Sequence, residues 1–241
     1  MSDFDRLLNA LQQTGYHQWM KSEGLPVAVG HGMEDVRDLK LAPWRRTGGL
    51  GSFVHLHGME GITGMYVAEI PPGDALQPEK HLYEELICIL DGNGATEVWQ
   101  EGKKKTLFEW GRMSLFSPPL NSWHRLINGG REPLKFLAVT NAPMVLDAYR
   151  NPEFVFNNPF VFADRFAGEE GYFNEGKKRY ERGNTHVLET NFIPDILTAQ
   201  VDEHEKKGAG VKLTQFQMAG NSMIAHVSNW PAARYQKAHY H

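Results

Sequence analysis

The chain has 241 residues, 41% of them hydrophobic, 22% charged and 11% aromatic, enough apolar material to bury one sizeable core and part of a second, which excludes a disordered chain. Twenty-five Lys and Arg against 29 Asp and Glu leave a formal charge of −4, and no basic run exceeds Lys103-Lys104-Lys105 or Lys177-Lys178-Arg179, so nucleic acid is disfavoured as a partner. The one cysteine, Cys88, cannot close an intrachain disulfide and no window approaches 18 consecutive apolar residues; the expectation is a soluble, cytoplasmic protein without a membrane partner.

Met1 to Leu8 carries two acids and no continuous apolar stretch, with Ser2 three residues before Asp5. It reads as a helix start and not as a secretion signal. Phe4, Leu7, Leu8, Leu11 and Trp19 recur at roughly helical spacing, which predicts an amphipathic arm over residues 3–21 inside an N-terminal segment 1–47. From Gly48 to about Asn141 short runs rich in Val, Ile, Phe and Tyr alternate with Gly, Pro and Asn. This all-β rhythm predicts eight strands, over 52–57, 64–70, 85–90, 96–100, 106–109, 114–116, 123–128 and 134–139, suited to a barrel or jelly roll. Residues 142–210 are less regular. Asn151-Pro152 and Asn158-Pro159 predict turns, the aromatics between Phe154 and Phe173 predict an arm packed on the barrel, and a helix is expected after Pro194, with Glu203 and Lys207 four apart and Gly208 as its stop. Strand texture returns over 211–218 and 223–227. Two strands cannot bury a core alone, so 211–241 is expected to open a second β-domain whose remainder is absent.

The chemistry-bearing residues fall in two segments. In the first, Pro71 to Gly92, Glu79 and His81 are two apart and leave an extended strand from the same face. His81 and Glu85 would stand about 13 Å apart on an extended chain, so they can share a metal only if the backbone bends across Leu82-Tyr83-Glu84. The second segment, Gly111 to Asn128, holds His124 between Trp123 and Arg125. A competing pair, His55-Leu56-His57 with Glu60 beyond it, reads as one face of a strand, and Gly48-Gly49-Leu50-Gly51 lacks the strand-to-helix context of a phosphate loop. Glu84 is expected to point away from the ligand face into solvent, and Lys103 to Lys105 to form a hairpin tip.

Together the two segments resemble the paired signatures of the cupin superfamily. Gly73, His81, Glu85 and Gly92 fit the first, with Glu79 standing where its first His belongs. Gly111, Pro118, His124 and Asn128 fit the second, whose Gly after Pro is missing while Asn121 lies nearby. The resemblance implies an all-β double-stranded β-helix, or jelly roll, over 48–141, with one divalent metal at its mouth held by His81, Glu85 and His124 and, in a fourth position, Glu79. Two carboxylates beside two imidazoles favour Fe(II) or Mn, with Ni acceptable, over thiolate-loving metals. In layout the chain is similar to two-barrel gentisate and 1-hydroxy-2-naphthoate dioxygenases; His239 and His241 would then belong to a second, incomplete site.

The resemblance implies a dioxygenase-like oxidoreductase acting on a small, aromatic or otherwise carboxylated substrate, with Tyr83, Trp123 and Arg125 beside it and Trp99, Trp110 and Phe116 as further aromatic lining. Two other functions are consistent with the same residues: Mn-type hydrolysis or isomerisation, which the Glu79 exchange favours, and a non-enzymatic cupin that binds a small ligand. A homo-oligomer is expected from fold analogy.

Overall fold

The computed structural model describes residues 14–174, 178–183, 185–204 and 210–233. Phe4 to Leu11, Lys207, Gly208, His239 and His241 lie outside the described residues. Helix α1, Gly15–Glu23, starts at Thr14, whose side chain accepts from the His17 N–H, and stops at Gly24, which takes a left-handed φ of 69°. Tyr16, Trp19 and Met20 are buried on one side of this helix.

Strands β1, Val27–Gly30, β2, Ala42–Pro43, β3, Leu50–Leu56, and β4, Gly64–Ile70, come next. They are followed by β5, Glu85–Asp91, β6, Gly94–Trp99, β7, Thr106–Trp110, β8, Leu115–Phe116, β9, Trp123–Ile127, and β10, Leu134–Thr140. All eight strands expected between 52 and 139 are present, β4 with the expected ends and the other seven with ends shifted. The short β1 and β2, four and two residues long, carried too little pattern to be read. One sheet runs β1-β3-β4-β10-β5-β8 and on to a further short strand, β13, Phe192–Ile193, with β2 also on β3; a second runs β7-β6-β9. The segment 75–79 extends the smaller sheet through bridges from Ala75 to Ile127 and from Glu79 to His124.

Burial alternates along β10, β7 and β9, as half-buried strands require. The inner faces bring Phe53, Tyr66, Ile87, Ile89, Val98, Phe116, Leu126, Leu134 and Phe136 into one core. Gly92 turns β5 into β6 at φ 92°, and a Cβ there would stand 3.2 Å from Leu134 Cα, so both conformation and space demand glycine.

Two helices follow the barrel: α2, Ala142–Tyr149, and α3, Pro152–Phe156. Neither was expected. Asn151-Pro152, predicted as a turn, starts α3, with the Asn151 side chain accepting from the Phe154 N–H and proline in the first turn, where its missing N–H costs nothing. The Tyr16 N–H donates to Asp147 Oδ1 at 2.7 Å, tying α1 to α2. The aromatic arm folds back on the barrel: Phe173 stacks on Phe108 at 3.8 Å between centroids, and Phe166 is fully buried.

Of the helix expected after Pro194, the described residues 195–204 form none. Ile193 pairs with Leu115 in the β13–β8 ladder, and the Ile196 N–H donates to Met113 O at 2.9 Å, which ties this segment to the barrel. The Asp195 side chain takes the Leu197 N–H instead, making a turn. The remaining strands, β11, Lys178–Arg182, β12, Thr185–Glu189, β14, Lys212–Gln217, and β15, Ile224–Asn229, form a separate sheet in the order β11-β12-β14-β15. Its Phe216, with Met218, packs against Leu86 and Leu115, which face away from the barrel interior. No helix among the described residues is long and apolar enough to cross a membrane.

Candidate metal centre

The segment before β5 pairs with β9: the Glu79 N–H donates to His124 O at 3.0 Å and the His124 N–H returns to Glu79 O at 2.9 Å. The chain then bends over 81–84 before entering β5 at Glu85, so a residue preceding the strand and the strand's first residue face the same space. Glu85, Ile87 and Ile89 share the inward face of β5, and His124 and Leu126 that of β9. Asn121, three residues before His124, sits at φ 53°. Asparagine tolerates this left-handed conformation, so Pro119-x-Asn121 takes the place of the signature's Pro-x-Gly, one residue on from the Pro118 expected to fit it. The Asn121 amide also donates to Phe160 O at 2.7 Å, a link glycine could not make.

His81, Glu85 and His124 are each buried, and one ligand atom from each lies within 4.8 Å of the other two. Glu85 Oε2 stands 3.5 Å from His81 Nε2 and 3.7 Å from His124 Nε2. An ion with donors at about 2.0 to 2.2 Å has ligand–ligand edges of about 3 to 3.5 Å, so a small contraction would close the set. Each ring is turned by its other nitrogen: His81 Nδ1 lies 2.8 Å from Tyr83 O and His124 Nδ1 3.0 Å from Ser122 O. Donation to those carbonyls leaves the Nε2 lone pairs facing the shared space. The Tyr66 hydroxyl donates to Glu85 Oε1. Buried His81 Nε2 and Glu85 Oε2 have no hydrogen-bond partner, the state expected of atoms shaped to hold a cation.

Burial by itself would raise the Glu85 carboxyl, but His124 and His81 beside it prevail and hold it well below the usual carboxylate range. Burial likewise works against a charged His124, yet Glu85 and Glu79 raise its pKa above the ordinary 6.5. Burial, with Glu85 close by, pushes the Tyr66 phenol well above its ordinary pKa, so Tyr66 remains a donor.

Glu79 is engaged elsewhere: its Oε2 accepts from Arg46 Nη1. It is adjacent to His124 through the backbone, while the donors that converge in the barrel are His81, Glu85 and His124. Arg46 lies over Phe156 at 4.8 Å, Trp44 at 4.9 Å and Trp19 at 5.6 Å. Its buried Nη2 has no hydrogen-bond partner, and its Nε has only a 3.6 Å ion pair with Glu23. A cavity of about 290 Å³ is bordered by Arg46, Glu79, Lys80, Trp123 and Phe156.

Of the three residues expected beside a substrate, Tyr83 packs on the triad, and Trp123 and Arg125 leave β9 on the other side from His124. Tyr83 is buried and stacks on His81 with centroids 3.6 Å apart and planes 7° apart, so it is a wall for that ring. Strand alternation turns Trp123 and Arg125 to the opposite face of β9 from His124. There Arg125 Nε donates to Glu97 at 2.7 Å and Trp123 Nε1 to Glu101 at 3.0 Å, though Trp123 also borders the cavity. Trp99 stacks on Trp123, and Trp110 and Phe116 belong to the barrel core. Glu84, expected in solvent, is buried: it accepts from the Ser222 N–H at 2.8 Å, the Ser222 hydroxyl at 2.7 Å and the Met223 N–H at 3.0 Å. Arg46 and Tyr66 were not anticipated. Arg46 follows a second arginine with no motif around it, and Tyr66 reads as an ordinary strand aromatic.

A protein-family model described as a cupin domain matches residues 66–140. No curated protein matches the chain. Among solved structures, the chain is similar to a Lactobacillus farciminis oxalate decarboxylase formate complex at 22% identity and a TM-score of 0.39, over 44% of this chain and 32% of the other. It is similar to vicilin from Solanum lycopersicum at 19% identity and a TM-score of 0.36, over 42% and 31%. It is also similar to an oxalate oxidase in complex with the substrate analogue glycolate, at 14% identity and a TM-score of 0.40, over 46% and 59%. The matches thus span about a third of the decarboxylase and vicilin chains and under two thirds of the oxidase. The domain match thus falls on the jelly-roll strands between Tyr66 and Thr140, and the segment 66–140 is similar to a cupin domain.

Proposed function

We propose that this chain is a mononuclear-metal enzyme, a dioxygenase-like oxidoreductase acting on a small carboxylated substrate, with the 48–141 barrel as its working unit. The observation that carries this reading is the convergence of the buried His81, Glu85 and His124 donors, two of whose atoms lack any hydrogen-bond partner. With Glu79 committed to Arg46, the donors reduce to two imidazoles and one carboxylate, a set that suits Fe(II), and also Mn(II), while Ni(II) can be accommodated. A metal held there supplies Lewis-acid and redox chemistry at the coordination positions the protein leaves open.

The protein's own residues do the positioning. The carbonyls of Tyr83 and Ser122 orient the two rings, and Tyr66 holds one Glu85 oxygen so that the other faces inward. Arg46 and Lys80, beside the carboxylates of Glu79 and Glu153, border a cavity that Trp123 and Phe156 also line. A substrate carboxylate fits the free arm of Arg46, and an aromatic or apolar body fits the rings.

The test is O2 uptake by the Fe(II)-loaded chain over a panel of catechols, gentisate and hydroxynaphthoates, beside the His124→Ala variant. Uptake with one of these substrates, lost in the variant, supports the reading. Turnover with Mn(II) that persists under strict anaerobiosis would replace it by hydrolysis or isomerisation. Substoichiometric metal that His124→Ala leaves unchanged would reduce the protein to a ligand-binding cupin.

A further inference from the structure

A second group of metal-type donors lies on elements that carry none of the barrel triad. His55 and His57 are two apart at the end of β3 and Glu60 is in the turn that follows; one ligand atom from each lies within 4.8 Å of the other two. Glu60 Oε1 stands 3.4 Å from His55 Nε2 and 3.8 Å from His57 Nδ1. The first is at the limit of a hydrogen bond and the second beyond it, whereas a tetrahedral ion with donors at about 2.0 to 2.1 Å has edges of about 3.3 Å. The spacing is therefore loose for direct bonding and close to what one small cation between the three would set.

The local backbone holds this arrangement. Gly58 takes φ 98°, which the turn back toward Glu60 needs, and its N–H donates to Glu60 Oε2 at 2.7 Å, leaving Oε1 to the imidazoles. The parallel pairing of β1 with β3 ends at Gly30 opposite Leu56, so His31 falls beside His57, with the rings 4.6 Å apart. A third imidazole thus borders the group. His55 is 6% exposed and His57 41%, so the site has a buried anchor and an open side through which an ion can enter.

We propose that His55, His57 and Glu60 form a second divalent-metal site at the β3–β4 turn, selective for a late first-row ion such as Zn2+, with His31 available as a fourth donor. Imidazole and carboxylate donors in a small set suit that end of the divalent series. Bound there, the ion would clip the β3–β4 turn to the end of β1. The inference does not rest on the function proposed for the barrel.

The experiment is a Zn2+ titration of the full chain by calorimetry and by dialysis with elemental analysis. It compares wild type with His57→Ala, Glu60→Gln and the barrel variant His124→Ala, all in a His239→Ala/His241→Ala background so that the terminal histidines add no binding. The proposal expects His57→Ala and Glu60→Gln each to bind one Zn2+ fewer than their parent, with an unchanged circular dichroism spectrum. It also expects His124→Ala to keep the equivalent that His57→Ala removes. Equal stoichiometry in the parent and in His57→Ala would overturn the proposal, as would loss of all bound Zn2+ in His124→Ala. His57 is largely exposed, and Glu60→Gln keeps the shape of the side chain, so failure of either variant to fold is not expected.

Discussion

At the residue scale the barrel triad works because every atom not aimed at the shared space is occupied. Tyr66 is the least obvious part of this: its hydroxyl bonds Glu85 Oε1 from a strand 19 residues away. Removing a group that orients a metal ligand typically costs 10- to 100-fold in affinity. Tyr66→Phe is therefore expected to weaken metal binding by roughly that factor while the barrel still folds, checked by competition with a chromophoric chelator.

The titration of His124 sets a second expectation. Its raised pKa, the result of Glu85 and Glu79 outweighing burial, means a metal must displace a proton to reach Nε2, so affinity falls as pH falls. In the metal-free chain the sign is opposite for stability. The His124 contribution is fully present below the unfolded value of 6.5 and is lost as pH rises through the raised folded value, while that of Glu85 is present above 4.5 and lost as pH falls. Melting temperatures with and without metal should therefore diverge as pH rises from 6.5. A metal-induced rise in melting temperature that shrinks over that range would refute this.

At the element scale, one carboxylate joins the barrel to the sheet that follows it. Glu84 stands at the bend before β5, where its backbone N–H donates to Asn141 Oδ1 at 2.7 Å and its side chain receives three bonds from residues 222 and 223. The loop between β14 and β15 is thus held to the same bend that points His81 and Glu85 at each other. Glu84→Gln keeps one acceptor oxygen and removes the charge, a loss of about 1 to 3 kcal/mol. Urea unfolding measures the total. Amide exchange should show β14 and β15 opening before β10, and uniform protection across all three would contradict the assignment.

On the scale of the whole molecule, apolar groups remain on the outside of the arm that follows the barrel. Tyr149, Phe154, Phe160 and Val161 are 55%, 43%, 60% and 42% exposed, and the rings form two pairs, Tyr149 with Phe154 and Phe160 with Phe162. Exposed aromatics grouped this way mark association surfaces, and a homo-oligomer built through this arm is the expected outcome. Sedimentation velocity should show a species larger than 27.3 kDa, shifted toward the monomer by Tyr149→Ser with Phe160→Ser. A wild-type monomer at high concentration would remove the expectation.

Much of the barrel was legible in the residues themselves. Alternation along β7, β9 and β10 is a local consequence of period-two geometry, and the spacing of Gly73, His81, Glu85 and Gly92 marks a segment whose residues are neighbours in the chain. The non-helical segment 195–204, read as helix, and the two helices missed after Asn141 show where such reading stops, since Ile193 and Ile196 are held by Leu115 and Met113 from distant parts of the chain. The partners that complete the site were invisible for the same reason. Arg46 and Glu79 are 33 positions apart, and Glu84 and Ser222 138; no local pattern encodes which distant strand or loop will lie alongside. The sequence by itself determined the eight strands between 50 and 140 and which side chains carry ligand chemistry, because both follow from near neighbours. Only the tertiary structure decided that Glu79 answers to Arg46, that Glu84 is buried and that Arg125 turns outward, because register and packing between remote segments choose the partner of a charged group once it leaves water.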